Sequence, residues 1–101
     1  MDLKALEEKS VKVTSILKAI ANEKRLMIVC ILINGEKNVG ELEQIVGLSQ
    51  SALSQHLSRL RRDDILATRR AAQTIFYSIK DPKIVSLLQS LCDIFGNKQQ
   101  A

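Results

Sequence analysis

The stretch LSQSALSQHLSRLRR, residues 48–62, carries leucines on one helical face and polar side chains on the other. Leu53, Leu57 and Leu60 recur every three or four residues, which predicts a helix that packs on the rest of the chain through these leucines. Ser49, just before this helix, is a favoured N-cap residue. The opposite face has no acidic residue and consists of serine, glutamine and arginine. Because such side chains hydrogen-bond to base edges and phosphates, the stretch predicts a helix that reads nucleic acid.

Nine residues are candidates for contact with DNA. Glutamine pairs bidentately with adenine and arginine with guanine, so we expect Arg59 and the polar residues of the first turns to enter a groove. Arg62, Arg69 and Arg70 would bind mainly phosphates, which gives a salt-dependent affinity without sequence choice. The alternative is that these arginines form only a solvated face. The nine candidates are Gln50, Ser51, Ser54, Gln55, Ser58, Arg59, Arg62, Arg69 and Arg70.

Length and composition favour one small domain, residues 1–101, built from helices. Aromatic residues make up 3% of the chain while aliphatic residues are abundant, and the formal net charge of +4 is compatible with a polyanionic partner. No secretory leader and no apolar run of membrane-spanning length is present, so we expect a cytoplasmic protein that does not bind a membrane. The two cysteines lack C-x-x-C spacing, which indicates neither a zinc ribbon nor a disulfide scaffold.

The segments before the organising helix are predicted to be helical. Residues 1–20 form an amphipathic helix whose apolar stripe is partly intermolecular, with packing inside the chain as the alternative. Residues 23–33 follow, capped by Asn22, as a central buried helix. Asn38-x-x-Glu41 is a capping box that starts a short helix, and Gly47 ends it. Residues 39–62 therefore predict a helix-turn-helix whose second helix is the reader.

The segments after it predict a wing and a last helix. Residues 65–79 alternate in the manner of two strands and predict a β-hairpin with its tip at Ala71-Ala72-Gln73. Asp81 as N-cap and Pro82 at the first position start a final helix, residues 82–96. The expected fold is thus mainly α with a small β-hairpin: four helices, two strands and a fifth helix, the order of a winged helix-turn-helix.

Four stretches resemble the ArsR/SmtB family of bacterial transcriptional regulators, and within it the group of redox- and sulfur-responsive regulators that includes HlyU and BigR/SqrR. They are AIANEKRL at 19–26, VGEL at 39–42, LSQSALSQHL at 48–57 and TIFY at 74–77. The resemblance implies a homodimer joined by the first and last helices, residues 1–20 and 82–96. It also implies that the two reading helices enter successive major grooves of a partly palindromic operator.

The family resemblance also bears on the effector. Metal-sensing relatives carry a cysteine-rich motif near residue 38 or histidine ligands on the last helix, and this chain has neither, so we expect no metal and no cofactor. In redox- and sulfur-responsive relatives, a cysteine like Cys30 pairs with one whose position falls at Gly96 here, while Cys92 lies one turn earlier. A thiol switch driven by a small sulfur compound or oxidant is one interpretation. The other is that both cysteines are small buried hydrophobic residues.

The sequence therefore predicts a homodimeric, sequence-specific transcriptional regulator, either a repressor or an anti-silencing activator. One alternative is a winged-helix module that binds an acidic protein, and another is an ArsR-type regulator without a cysteine switch. An enzyme is not expected, because one histidine and scattered aspartates form no catalytic set. We expect His56 to contact phosphate or to pack between helices rather than to bind a metal, since a metal site needs several ligands.

Overall fold

Residues 2–96, the part of the chain described by the computed structural model, fold into five helices and a small antiparallel sheet. The ends of the predicted 1–101 domain lie outside the described residues. Within residues 2–96 every helix is too short or too polar to span a lipid bilayer. The elements in chain order are α1 (Leu3–Ile20), α2 (Glu23–Leu32), β1 (Lys37–Asn38), α3 (Val39–Val46), α4 (Gln50–Arg62), β2 (Leu66–Ala71), β3 (Thr74–Ile79) and α5 (Pro82–Phe95).

Side-chain caps fix where the helices begin. The Asn38 side chain accepts a hydrogen bond of 2.9 Å from the backbone N–H of Glu41, whose carboxylate accepts one of 2.9 Å from the Asn38 N–H. This reciprocal pair is the predicted capping box of α3. The Ser49 hydroxyl accepts from the N–H of Ala52 at 3.2 Å and caps α4, and Asp81 caps α5. The predicted starts of these three helices are therefore confirmed.

The leucine face of α4 lies in the core of the domain. Leu53, Leu57 and Leu60 are almost completely buried. Burying one leucine side chain stabilises a fold by roughly 1.5–3 kcal/mol, so these three leucines hold α4 firmly in place. Their neighbours in the core come from all parts of the fold: Ala19, Ile20, Ile28, Val29, Leu32, Leu42, Val46, Ile65, Leu66, Ile84 and Leu88.

The helix α2 is central, but it is less buried than its sequence predicts. It contacts α1, α3, α4, α5 and β3, which confirms its central position. It ends at Leu32, one residue before the predicted end, and Ile33 serves as its C-cap. Leu26 is exposed and Cys30 is half-buried, so one side of this apolar helix remains open to solvent in the single chain.

A third strand, which the sequence analysis missed, extends the predicted hairpin into a sheet. The strand order is β1-β3-β2, and β1 pairs with β3 so that Asn38 lies opposite Phe76. Because β1 leads directly into α3, this pairing joins the wing to the start of the helix-turn-helix. The winged helix-turn-helix prediction is confirmed with this one addition.

The hairpin turn is tighter than predicted. Ala71 belongs to β2, where it pairs with Thr74, so only Ala72 and Gln73 connect the strands. Ala72 has φ 59°, the left-handed conformation that glycine or asparagine adopts most readily. The turn was hard to place from sequence because it contains no glycine. The left-handed position is occupied instead by Ala72, in a strained conformation.

Candidate nucleic-acid interface

The outer face of α4 is exposed in the described part of the chain. Ser51, Gln55, Ser58 and Arg62 recur at spacings of four, three and four residues, opposite the buried leucines, and all are exposed. Gln50 and Ser54 are exposed as well. Their side chains form no hydrogen bond or ion pair with residues 2–96. The face therefore presents hydroxyl, amide and guanidinium groups to solvent without an intramolecular competitor.

Arg59 differs from the other candidates on α4 because it already has a partner. Its Nε donates to Oδ2 of Asp63 at 2.8 Å, one turn later, and its side chain is only 35% exposed. His56 is half-buried on the same helix. Burial, and then the nearby positive charge of Arg25, lower the pKa of His56, as expected for a histidine packed between helices. The packing interpretation of His56 is thus the one that the geometry favours.

The two candidate arginines of the wing point to opposite faces of the hairpin. Arg69 pairs with Phe76 across the strands and Arg70 pairs with Ile75, and successive residues of a strand face opposite sides. Arg70 is exposed and has no ion-pair partner among residues 2–96. Arg69 is bound to the carboxylate of Glu36 through Nε and Nη2, so the structure gives these two similar residues different surroundings.

A shallow depression separates the wing tip from the start of α3. It has a volume of about 410 Å³ and lies between the Asn38–Gly40 segment and the Gln73–Ile75 segment. The wing tip thus lies across this depression from the start of the helix-turn-helix. The position of the wing relative to α3 sets the width of the depression.

The fold brings Cys30 and Cys92 together. Their Sγ atoms lie 4.0 Å apart, although the residues are 62 positions apart in sequence, and both side chains are half-buried. Burial, together with the neighbouring Cys92, raises the pKa of Cys30 to about 11, so this thiol is protonated at neutral pH. The one-turn offset between Cys92 and Gly96 therefore does not keep the sulfurs apart.

An apolar depression adjoins the two cysteines. Its volume is about 510 Å³, and it is lined by both thiols and by Leu26, Leu91, Phe95 and Gly96. A side chain at position 96 would meet the carbonyl oxygen of Cys92 at 2.5 Å, so a cysteine there would require the end of α5 to shift. In this chain, Cys92 is consequently the residue of α5 that faces Cys30.

The terminal helices expose apolar side chains that the core does not use. On α1 these are Leu3, Leu6, Val11, Val13 and Leu17, and on α5 they are Leu87, Ile94 and Phe95. Phe95 is 79% exposed and Ile94 is 70% exposed. Only Ala19 and Ile20 of α1 are buried within the chain. The expectation that the stripe of α1 is not fully used inside the chain agrees with this placement.

The sequence analysis did not identify Glu36 and Phe76 as part of the candidate interface. Glu36 carries no local signal, because its partner Arg69 is 33 residues away. Alternation along β2 and β3 places Arg69 and Phe76 on one face only once the strand register is known.

Within residues 2–96, no cluster of three or more histidine, cysteine or acidic side chains is arranged to hold a metal ion.

Comparison with known proteins shows the family. The family described as "Bacterial regulatory protein, arsR family" matches residues 22–68. The transcriptional activator HlyU of Vibrio cholerae is 44% identical over 100 residues, which cover 99% of this chain and 93% of that protein. The biofilm growth-associated repressor of Xylella fastidiosa is 40% identical over 95 residues, covering 94% of this chain and 83% of that protein.

Solved structures give the same result. Reduced HlyU from Vibrio cholerae superposes with a TM-score of 0.88 at 44% identity, covering 93% of this chain and 99% of that one. The homodimeric winged helix-turn-helix DNA-binding domain Mb0332 from Mycobacterium bovis superposes with a TM-score of 0.78 at 26% identity, covering 93% of this chain and 85% of that one. These relatives are regulators, not enzymes. The chain therefore belongs to the ArsR family of winged helix-turn-helix, DNA-binding transcriptional regulators.

Proposed function

We propose that this regulator binds a partly palindromic operator as a homodimer and reads its sequence with the outer face of α4. The observation that supports this most directly is that Gln50, Ser51, Ser54 and Gln55 are exposed and unpaired on a helix anchored by three buried leucines. Glutamine and serine hydrogen-bond to base edges in the major groove, which is wide enough to admit a helix. Ser58 lies farther along the same face and would contact the backbone or a base edge.

Phosphate contacts come in this proposal from arginines that flank the reading face. Arg62 and Arg70 are exposed and have no ion-pair partner within residues 2–96, so they are available to a phosphate without breaking another contact. Arg59 has its Nε hydrogen-bonded to Asp63, so a base can use this donor only if it leaves Asp63, and the neighbouring carboxylate offsets the positive charge of the guanidinium. We therefore expect Arg62 and Arg70 to contribute more to affinity than Arg59.

Substitution of Gln55 tests the reading role. The DNA probe is a duplex selected from a random library by the wild-type protein, and a scrambled duplex of the same length gives the nonspecific affinity. Because a bidentate base contact discriminates by about 1–3 kcal/mol, Gln55→Ala is expected to lose roughly tenfold or more in preference for the selected site. Gln89→Ala is the matched control and should bind as the wild type does, because Gln89 is exposed on the side of α5 away from the exposed apolar residues Leu87 and Ile94. An unchanged preference in both Gln55→Ala and Gln50→Ala would contradict the proposal.

The homodimer is proposed to form through α1 and α5. Their exposed apolar side chains would be covered by the same helices of a second copy, as a two-fold symmetric interface requires. The relative Mb0332 is described as homodimeric. A two-fold dimer presents two copies of α4 to successive turns of DNA, which is the reason to expect a partly palindromic operator.

Charges placed on the stripe of α1 test this interface. Val13→Asp combined with Leu17→Asp should yield a monomer in sedimentation equilibrium and weaken operator binding, because each monomer reads only one half-site. Val11→Asp is the matched control: Val11 is 73% exposed, but it lies on another side of α1. A double variant that remains dimeric would place the interface elsewhere.

A thiol switch is proposed at Cys30 and Cys92. An added two-electron oxidant such as diamide takes two electrons and two protons from the thiols, and one sulfur–sulfur bond forms. The sulfurs then move from 4.0 Å to about 2.05 Å, and whatever part of this approach is not made by rotation of the cysteine side chains draws α5 toward α2. A shift of α5 at the dimer interface would change the spacing of the two reading helices and hence the operator affinity.

The switch is tested by measuring operator affinity with and without diamide. We expect oxidation to change the affinity of the wild type several-fold and to leave Cys92→Ala unchanged. Mass spectrometry after thiol alkylation should find two free thiols before treatment and none after it. Two free thiols after treatment, with unchanged affinity, would leave an ArsR-type regulator without a cysteine switch.

A further inference from the structure

The side chain of Arg69 spans the sheet from one edge to the other. Arg69 lies on β2, Phe76 lies opposite it on the middle strand, and Glu36 immediately precedes β1 on the far edge. The guanidinium carbon of Arg69 lies 4.7 Å from the centre of the Phe76 ring. Beyond that ring, Nε donates to Oε1 of Glu36 at 3.1 Å and Nη2 donates to Oε2. We call this arrangement the wing clamp: Glu36, Phe76 and Arg69.

The wing clamp joins two parts of the proposed DNA-binding surface that the backbone links only weakly. The strand β1 has two residues, Lys37 and Asn38, and it is the only strand between α2 and α3 in the described chain. Asn38 is also the cap of α3. A guanidinium held in two directions by a carboxylate therefore adds a second, side-chain connection between the wing and the start of the helix-turn-helix.

We propose that Arg69 is a positioning residue for DNA binding: together with Glu36 and Phe76 it fixes the wing relative to α3 and α4, and it does not itself bind a phosphate. This rests on the proposed function, in which Arg62 and Arg70 contact the DNA backbone. Its geometric basis is that both donor directions of Arg69 toward Glu36 are occupied, whereas Arg70 on the opposite face of the same strand is unpaired within residues 2–96.

Whether removal of Glu36 raises or lowers DNA affinity distinguishes between the two possible roles of Arg69, a phosphate contact and a positioning residue. If Glu36 merely occupied a phosphate-binding arginine, then Glu36→Ala would free Arg69 and remove a negative charge near DNA, and affinity would rise. If the wing clamp positions the wing, Glu36→Ala loosens it and affinity falls despite the gain in positive charge. The same reasoning holds for Arg69→Lys, because lysine still binds a phosphate but cannot reproduce the bidentate contact with a carboxylate.

The experiment measures DNA affinity by fluorescence anisotropy over a series of salt concentrations, on the selected duplex and its scrambled counterpart. Losing one phosphate contact reduces the magnitude of the slope of log affinity against log salt by about 0.9, and a substitution in a homodimer removes two such contacts. We expect Glu36→Ala, Arg69→Ala and Arg69→Lys each to weaken binding to the selected duplex about three- to tenfold with an unchanged slope. Arg70→Ala, the matched control from the same strand, should weaken binding to both duplexes and reduce the magnitude of the slope by about 1.8, because each protomer of the homodimer loses one phosphate contact.

A charge swap completes the test. Glu36→Arg combined with Arg69→Glu keeps the net charge and the possibility of pairing over Phe76, so we expect binding to recover to within about threefold of the wild type. The double variant Glu36→Ala, Arg69→Ala should be no weaker than either single variant, because both remove the same contact. Thermal unfolding of each variant verifies that it is folded.

Three results would overturn the inference: stronger binding by Glu36→Ala, a slope reduced in magnitude by about 1.8 in Arg69→Ala, or near wild-type binding by Arg69→Lys. The change of slope would make Arg69 a phosphate contact, and either of the other two results would mean that the wing clamp does not position the wing for DNA binding. Failure of the proposed function has a different signature, because then Arg62→Ala and Arg70→Ala would leave the slope unchanged. The two failures are therefore distinguishable in one set of titrations.

Discussion

Oxidation of Cys30 and Cys92 is expected to stabilise the fold, and the size of the effect follows from the length of chain that the bond closes. The residues are 62 positions apart. In the chain-entropy description, closing a loop of that length removes about 14 cal/mol/K from the unfolded state, or about 4 kcal/mol at 25 °C. Because the sulfurs must also approach by about 2 Å, which costs some strain in the cysteine side chains and in the packing of α5 on α2, we expect a net gain of roughly 2–4 kcal/mol.

Thermal unfolding followed by circular dichroism measures this gain. A change of 1 kcal/mol shifts the Tm of a domain of this size by about 4–8 °C, so a gain of 2–4 kcal/mol should make the diamide-treated protein melt roughly 8–32 °C above the dithiothreitol-treated protein. Both samples are measured at one protein concentration, because the stability of a dimer depends on it. Cys30→Ala and Cys92→Ala should show no shift with the same treatment.

The reasoning fails if the oxidised wild type shows no rise in Tm although its thiols are consumed. It also fails if non-reducing electrophoresis shows a covalent dimer, because the loop argument requires a bond within one chain. A rise in Tm that persists in Cys92→Ala would attribute the stabilisation to some other effect of the oxidant.

Three further changes probe the thiol, the turn and the core. Burial and Cys92 raise the pKa of Cys30 from 9.0 to about 11. The contribution of this thiol to the stability of the reduced fold is therefore fully present below pH 9 and is lost between pH 9 and 11. The free energy of unfolding falls by at most roughly 1.4 kcal/mol per pH unit, and by less because the thiol is partly solvated. Urea unfolding between about pH 8 and 11 should show a smaller fall in Cys30→Ala than in the wild type. Ala72→Gly should raise the free energy of unfolding by about 0.5–1 kcal/mol, because Ala72 has φ 59°, whereas Ala71→Gly in the adjoining strand should lower it in the same assay. Leu57→Ala should cost roughly 2–5 kcal/mol of stability in urea unfolding, because Leu57 is buried against the core, and a smaller loss would mean that α4 is not held by its leucines.

Local sequence determined the helices and where they begin. Capping depends on residues three positions apart, so Asn38 with Glu41, and Ser49 before α4, carry the complete signal within one turn. The division of α4 into a buried leucine face and an exposed serine and glutamine face is likewise a property of helical period alone. These features were predictable because every interaction that fixes them lies within a few residues along the chain.

Tertiary structure alone decided what the hairpin and the cysteines contact. A two-residue strand such as β1 has no period of its own and exists because β3 offers it an edge to pair with. The ion pair between Arg69 and Glu36 joins residues 33 positions apart, and the sulfurs of Cys30 and Cys92 meet across 62. Such contacts depend on strand register and on helix packing. A shift of one residue along a strand turns a side chain to the opposite face of the sheet, and a shift of one helical turn can move two atoms out of contact. The sequence by itself thus determined which face of α4 is buried and which is exposed, and only the packed fold decided which distant side chains lie against one another.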